Sequence, residues 1–119
     1  MIRLPRPADL AAAVWALCAL RAVRAQLAAG ELRELRLPAP RRSTLGGRRG
    51  VKLVLLARRA SCLEGALVRQ RFGAACGDVR DVVIGVRNPA ETFGAHAWLE
   101  GERDGELLGF RVLTRVTLG

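Results

Sequence analysis

The tetrad Ser61-Cys62-Leu63-Glu64 constrains the fold more than any other stretch of this chain. Ser-x-x-Glu is a capping box. The serine hydroxyl accepts from the backbone N–H three residues on, and the glutamate carboxylate reaches back to the serine N–H. A helix therefore starts at Cys62, and Gly77 supplies the residue that ends it. The pattern predicts a helix over 62–76, with Leu63, Ala66, Leu67 and Gln70 or Ala74 along its inner side. Gly73 within it costs about 1 kcal/mol relative to Ala.

After Gly77 the apolar spacing becomes that of strands, expected over 79–86, 94–101 and 107–117. Pro89 interrupts the first connection, Arg103-Asp104-Gly105 is a hairpin turn signal, and Gly109 marks an irregularity. Three antiparallel strands in a meander, packed on one helix, make an α+β fold.

Upstream, Pro5 and Pro7 give an irregular lead-in, Asp9 is a fair N-cap, and a helix is expected over 10–29 with Gly30 past its end. Residues 10–20 are apolar all round, whereas Leu20, Val23 and Leu27 oppose Arg21 and Arg24. Eleven apolar residues are too few for a bilayer span. Arg3 and Arg6 imitate the start of a signal peptide, but Arg21 and Arg24 make a poor cleavage region. Burial against the core or a partner protein explains the segment better. Residues 31–50 read as a short helix over 31–37, ended by Pro38, and then a Gly- and Arg-rich loop. Residues 51–59 suit a helix or a short strand. One domain over 1–119 is expected: an N-terminal helical and basic-loop segment (1–50), then a core (51–119).

Charge is divided unequally. Residues 1–61 carry 13 basic against 3 acidic side chains, and residues 62–119 carry 7 against 8. The surplus suits nucleic acid, an anionic membrane or an acidic partner, or simply a solvated arginine face. No aromatic residues interleave with the arginines, so nucleic acid is not the expected partner. Gly46-Gly47-Arg48-Arg49-Gly50 lacks the Gly-Lys-Ser/Thr ending of a phosphate loop. One histidine and three scattered cysteines give no zinc spacing, and neither metal nor cofactor is expected. The odd cysteine count argues for a reducing, cytoplasmic compartment. Cys62 and Cys76 lie about 21 Å apart on one helix and cannot bridge. Cys18 and Cys76 read as structural.

Cys62 falls in the first helical turn, where unpaired N–H groups and the helix dipole favour a negatively charged sulfur. The single histidine, His96, lies downstream on a strand. Nucleophile at a helix start and base on a strand is the layout of a cysteine protease. The plainer readings are a small buried cysteine and a hydrogen-bonding structural histidine.

Ser61-Cys62-Leu63-Glu64-Gly65-Ala66-Leu67, the run from Gly77 through Val82-Val83-Ile84-Gly85-Val86-Arg87, and Phe93-Gly94-Ala95-His96-Ala97-Trp98-Leu99-Glu100 together resemble the lasso-peptide leader peptidases. These form a bacterial branch of the transglutaminase-like cysteine protease superfamily. The resemblance covers about residues 50–108. It implies a minimal transglutaminase-like or papain-like core: N-terminal helices, then a catalytic helix on a three-stranded antiparallel sheet. It also implies three partners: a peptide precursor, a separate leader-recognition protein and an ATP-dependent lasso cyclase. The docking surface would be the apolar helix over 10–20 or the basic loop.

On that reading Cys62 attacks the scissile carbonyl, its own backbone N–H helps hold the oxyanion, and His96 carries the proton. Trp98 shares the His96 face, as a shield or as core. The family's acidic residue lies about a dozen residues after the histidine, where this chain has Leu108-Gly109-Phe110-Arg111. A 94–101/107–117 hairpin would set Phe110 or Arg111 opposite His96, and neither accepts its N–H. Asp104 and Glu106 fall near the hairpin tip, and Glu100 lies roughly 13 Å along the strand. Three arrangements remain: a working Cys–His dyad oriented by a backbone carbonyl, which is the expected one, an acid from elsewhere in the chain (Asp81, or Asp104 from the hairpin tip), or an impaired enzyme. The alternatives to a peptidase are a non-catalytic adaptor of the same fold and a basic nucleic-acid-binding protein.

Overall fold

The computed structural model describes residues 6–32, 34–87, 94–102 and 110–118. The first helix, α1 (Pro7–Ala28), begins with proline, whose fixed φ suits the first helical position. Asp9 is not the N-cap. It is the third helical residue, and its carboxylate accepts the Arg6 N–H at 3.2 Å. By length and composition alone α1 could cross a membrane, yet Ala12, Trp15, Ala16, Ala19, Leu20 and Val23 are buried in the protein core.

Residues 34–40 form no helix, contrary to expectation. Side chains of α1 hold this segment instead. The Gln26 amide donates to the Arg36 carbonyl and accepts the Arg36 N–H, both at 2.6 Å, and Trp15 Nε1 donates to the Pro38 carbonyl at 2.8 Å. Backbone groups satisfied in this way have no need of helix partners.

After a 3-10 turn (Arg42–Thr44), α2 (Arg48–Ala57) settles the helix-or-strand alternative and begins inside the stretch that reads as loop. The reason is close packing. A Cβ on Gly47 would lie 2.0 Å from the Ala8 carbonyl oxygen, and one on Gly50 would lie 2.0 Å from that of Asp9. These glycines let α2 touch the backbone of α1, with Val51 and Val54 buried beside them. The third helix, α3 (Cys62–Ala75), starts where the capping box places it.

The sheet is β1 (Val82–Arg87), β2 (Gly94–Leu99) and β3 (Arg111–Val116), all antiparallel, in the order β2-β1-β3. The expected meander is therefore corrected: β3 pairs with β1, and among the described residues β2 and β3 form no ladder with each other. Trp98 opposes Val83, His96 opposes Gly85, and Val112 flanks Gly85 from the other side. A register shift between Ile84 and Gly85 skips Leu113. The irregularity predicted at Gly109 lies outside the described residues.

Side-chain alternation gives the sheet two unlike faces. Val82, Ile84, Ala97, Leu99 and Val116 join the helical core with Leu20, Leu67 and Phe72. Val83, Gly85, His96 and Trp98 lie on the other face. Gln70, 1% exposed, ties α3 to the lead-in of the central strand and to the end of β3: its Nε2 donates to the Arg80 carbonyl at 2.9 Å and to that of Val116 at 2.8 Å.

Candidate functional site

Cys62 is the first residue of α3, and its thiol is exposed. Both capping bonds form: Glu64 N–H to Ser61 Oγ at 3.1 Å, and Ser61 N–H to Glu64 Oε1 at 2.9 Å. Arg24 braces the same helix start from α1. Its Nε lies 3.3 Å from Glu64 Oε1, and its other guanidinium arm donates to the Arg58 carbonyl at 2.8 Å. Between these anchors the chain turns at Arg59, whose φ of 52° is left-handed. Neither the sequence pattern nor the resemblance picks out Arg24 or Arg59. Arg24 precedes Glu64 by forty positions, so only the fold reveals that pair.

The other thiols are also free. Cys18 is exposed, and Cys76, at the end of α3, sits 3.6 Å from the Leu45 carbonyl. Neither is the buried hydrophobe that a structural role most often implies.

His96 lies on β2 in an aromatic cluster. Its ring stacks with Trp98 at a centroid distance of 5.7 Å and meets Phe110 at 5.4 Å; Trp98 and Phe110 are 6.1 Å apart. Gly85 makes the cluster possible, since a Cβ there would fall 2.6 Å from Trp98 Cη2. The indole crosses the central strand in the space a side chain would fill. Phe110 does face His96, as expected, but from across β1 and not through direct β2–β3 pairing.

The two chemical groups are thus placed differently. Ala97 and Leu99 pack into the core beneath α3, so alternation turns His96 and Trp98 to the opposite face. Among the described residues no hydrogen bond joins Cys62 to His96. Asp81 precedes β1, four residues from the Gly85 that opposes His96, which is about 13 Å of strand. It does not orient the imidazole here. Asp104 lies outside the described residues, as does Glu106. Glu100 is engaged by Arg115 at 2.8 Å. The Cys62 N–H, at the first helical position, has no acceptor among the described residues, so it is available to an incoming oxygen.

A family model for the transglutaminase-like superfamily matches residues 8–115. The chain belongs to the transglutaminase-like superfamily. The superfamily generally comprises cysteine proteases and transglutaminases, enzymes of acyl transfer through a thiol. The match reaches back through α1, well beyond the stretch that carries the resemblance in sequence. The α+β arrangement of three helices and a three-stranded antiparallel sheet is consistent with a minimal core of this superfamily. No curated protein and no solved structure gives a match.

Proposed function

We propose that this chain is a cysteine peptidase that removes the leader from a ribosomally made lasso-peptide precursor in the cytoplasm. The observation that carries the reading is the exposed Cys62 thiol at a capped helix start, in a chain of a thiol-dependent superfamily. The thiol gives its proton to His96, and the sulfur bonds to the scissile carbonyl carbon. The oxyanion takes the Cys62 N–H. The C–N bond breaks as His96 returns the proton to the leaving amine, and water then hydrolyses the thioester. The imidazole must reach the thiol for this to occur. His96 sits on β2, which among the described residues pairs with β1 alone, so we assign the adjustment to β2 when precursor and recognition protein bind. A separate recognition protein and an ATP-dependent cyclase complete the partners. Leu10 and Val14, exposed on α1, and the basic residues 41–49 are the candidate docking surfaces.

The test is cleavage of the precursor, with and without the recognition protein, by wild type, Cys62→Ala and His96→Ala, read by mass spectrometry. A single cut lost in both variants supports the peptidase. A second reading, a non-catalytic adaptor of the same fold, draws on the aromatic packing of His96 away from Cys62. Precursor binding by all three proteins with no cut in any condition would select it.

A further inference from the structure

The far end of α3 carries a second feature that the peptidase chemistry leaves unused. A cavity of about 260 Å³ opens between the first turns of α2, the second half of α3 and the end of β2. Its floor is apolar, made by Val51, Phe72 and Leu99, and its walls bear Arg48, Lys52, Arg69 and Arg80. Two carboxylates answer these four cations, and both are already engaged: Glu102 by Arg69 at 2.7 Å and Asp78 by Arg80 at 3.1 Å. Arg48 and Lys52 form no ion pair among the described residues. They stand one turn apart on the first half of α2, and the helix dipole adds to the charge of Arg48 at its start.

We infer that this cavity is a subsite for an acidic side chain of a peptide, with Arg48 and Lys52 pairing its carboxylate and Val51, Phe72 and Leu99 covering its methylenes. The class of occupant follows from the mixed lining. A bare phosphate has no use for the apolar floor, and a nucleic-acid strand needs exposed stacking rings that the cavity lacks. The inference deepens the peptidase reading and rests on it for one point. Gln70 and Gly73 lie 8 and 11 residues along α3 from Cys62, or about 12–17 Å at 1.5 Å per residue. An extended peptide covers that span in four or five residues. The subsite would therefore anchor an acidic residue that far from the bond cut at Cys62.

The experiment is a titration of the isotope-labelled chain, followed by amide NMR, with an acetylated and amidated peptide carrying two glutamates. Its glutamine analogue and a short single-stranded oligonucleotide serve as comparators. Saturable shifts at the amides of Val51, Gly73 and Leu99 are expected with the glutamate peptide and absent with the glutamine one. Arg48→Ala/Lys52→Ala should weaken binding about tenfold, whereas Arg48→Lys should retain most of it. Both positions are exposed, and the spectrum itself reports whether the variants fold. Equal shifts from the two peptides, no saturable shift, or affinity unchanged in the double variant would overturn the subsite. Tighter binding of the oligonucleotide at the same amides would overturn its assignment to peptide. The readout is binding alone, so an inert Cys62 would defeat the peptidase reading without altering this result.

Discussion

Adding one methyl group at Gly50 and at Gly65 should move stability in opposite directions. Both are glycines inside helices, where alanine is intrinsically better by up to about 1 kcal/mol. At Gly65 the new Cβ meets only Leu55 Cδ1 at 3.9 Å, an ordinary contact, so Gly65→Ala should stabilise by about 0.5–1 kcal/mol. At Gly50 it would sit 2.0 Å from the Asp9 carbonyl oxygen, 2.8 Å from its carbon and 3.1 Å from the Ala13 nitrogen. All three are backbone atoms of α1, so no side chain can swing aside and α2 must back away. Real Cβ atoms essentially never approach within 3.0 Å, so the contact must open by at least the difference from 2.0 Å. Such a gap forfeits a quarter to a half of the local dispersion contacts. Val51 and Val54, each worth about 1.5–3 kcal/mol when buried, would lose about 1–2.5 kcal/mol between them, within the usual range for overpacking. Less the propensity gain of about 0.5–1 kcal/mol, Gly50→Ala should destabilise by about 0.5–1.5 kcal/mol. The two variants should then differ by about 1–2.5 kcal/mol, or about 4–10 °C in Tm at roughly 4 °C per kcal/mol. Thermal and urea unfolding followed by circular dichroism measure this. A Gly50→Ala protein as stable as wild type would show that α1 and α2 do not meet backbone to backbone.

Four further outcomes follow. Arg59→Gly relieves a left-handed non-glycine residue and should raise stability by up to about 1 kcal/mol in the same melts. Gln70→Leu removes two donors from buried carbonyls and should cost about 1–3 kcal/mol in urea; Gln70→Glu should cost more at pH 7 and recover part of it in acid, where the protonated carboxyl can donate again. Burial pushes the Glu102 carboxyl up, but the hydrogen bonds from Arg69 and the Leu99 N–H, with the charges of Arg69 and Arg80, prevail and hold it below its ordinary value. Its stabilisation is thus fully present above about pH 4.3 and lost as pH falls through the lowered folded value. Glu102→Gln should therefore be less stable than wild type near pH 6 and converge with it in acid. Gly85→Ala should displace the indole of Trp98, read as altered Trp98 fluorescence in a Trp15→Phe background and as changed His96 proton shifts once the stacked rings separate.

The elements written in local chemistry were legible from the sequence. Ser61 and Glu64 cap α3 where the tetrad says they should, because a capping box needs only residues three apart. Cys62 consequently occupies the first helical position, and the strands around Ile84, Ala97 and Val116 follow from their β-branched and apolar runs. What sequence reasoning missed depends on distant partners. Gly47 and Gly50 read as a loop because glycine breaks helices in isolation; only the approach of Ala8 and Asp9 turns them into packing residues. The stretch around Arg36 looked helical because Gln26, ten residues away, is invisible to local propensity.

Strand order had the largest consequence for the candidate site. A turn signal at Arg103-Asp104-Gly105 argues that the second and third strands are neighbours, since consecutive strands most often pair. Here Gly85 tips the balance in the packing of the sheet. Lacking a side chain, it lets Trp98 of β2 lie over β1 and meet Phe110, next to the start of β3, from the far side. A central strand with a bare position thus serves as the bed of an aromatic cluster drawn from both flanks. His96 is fastened into that cluster by its spacing of two from Trp98, on the face opposite the Ala97 that packs into the core. The period-two pattern placing His96 beside Trp98 was readable from the sequence. The sheet face on which they lie depends on which neighbour, Ala97 or Trp98, the helical core accepts. The small alanine fits against the helices, while the indole needs the open space above Gly85. Any motion that carries His96 towards Cys62 must therefore also unstack Trp98, so the His96 ring environment is the direct monitor of whether the site assembles.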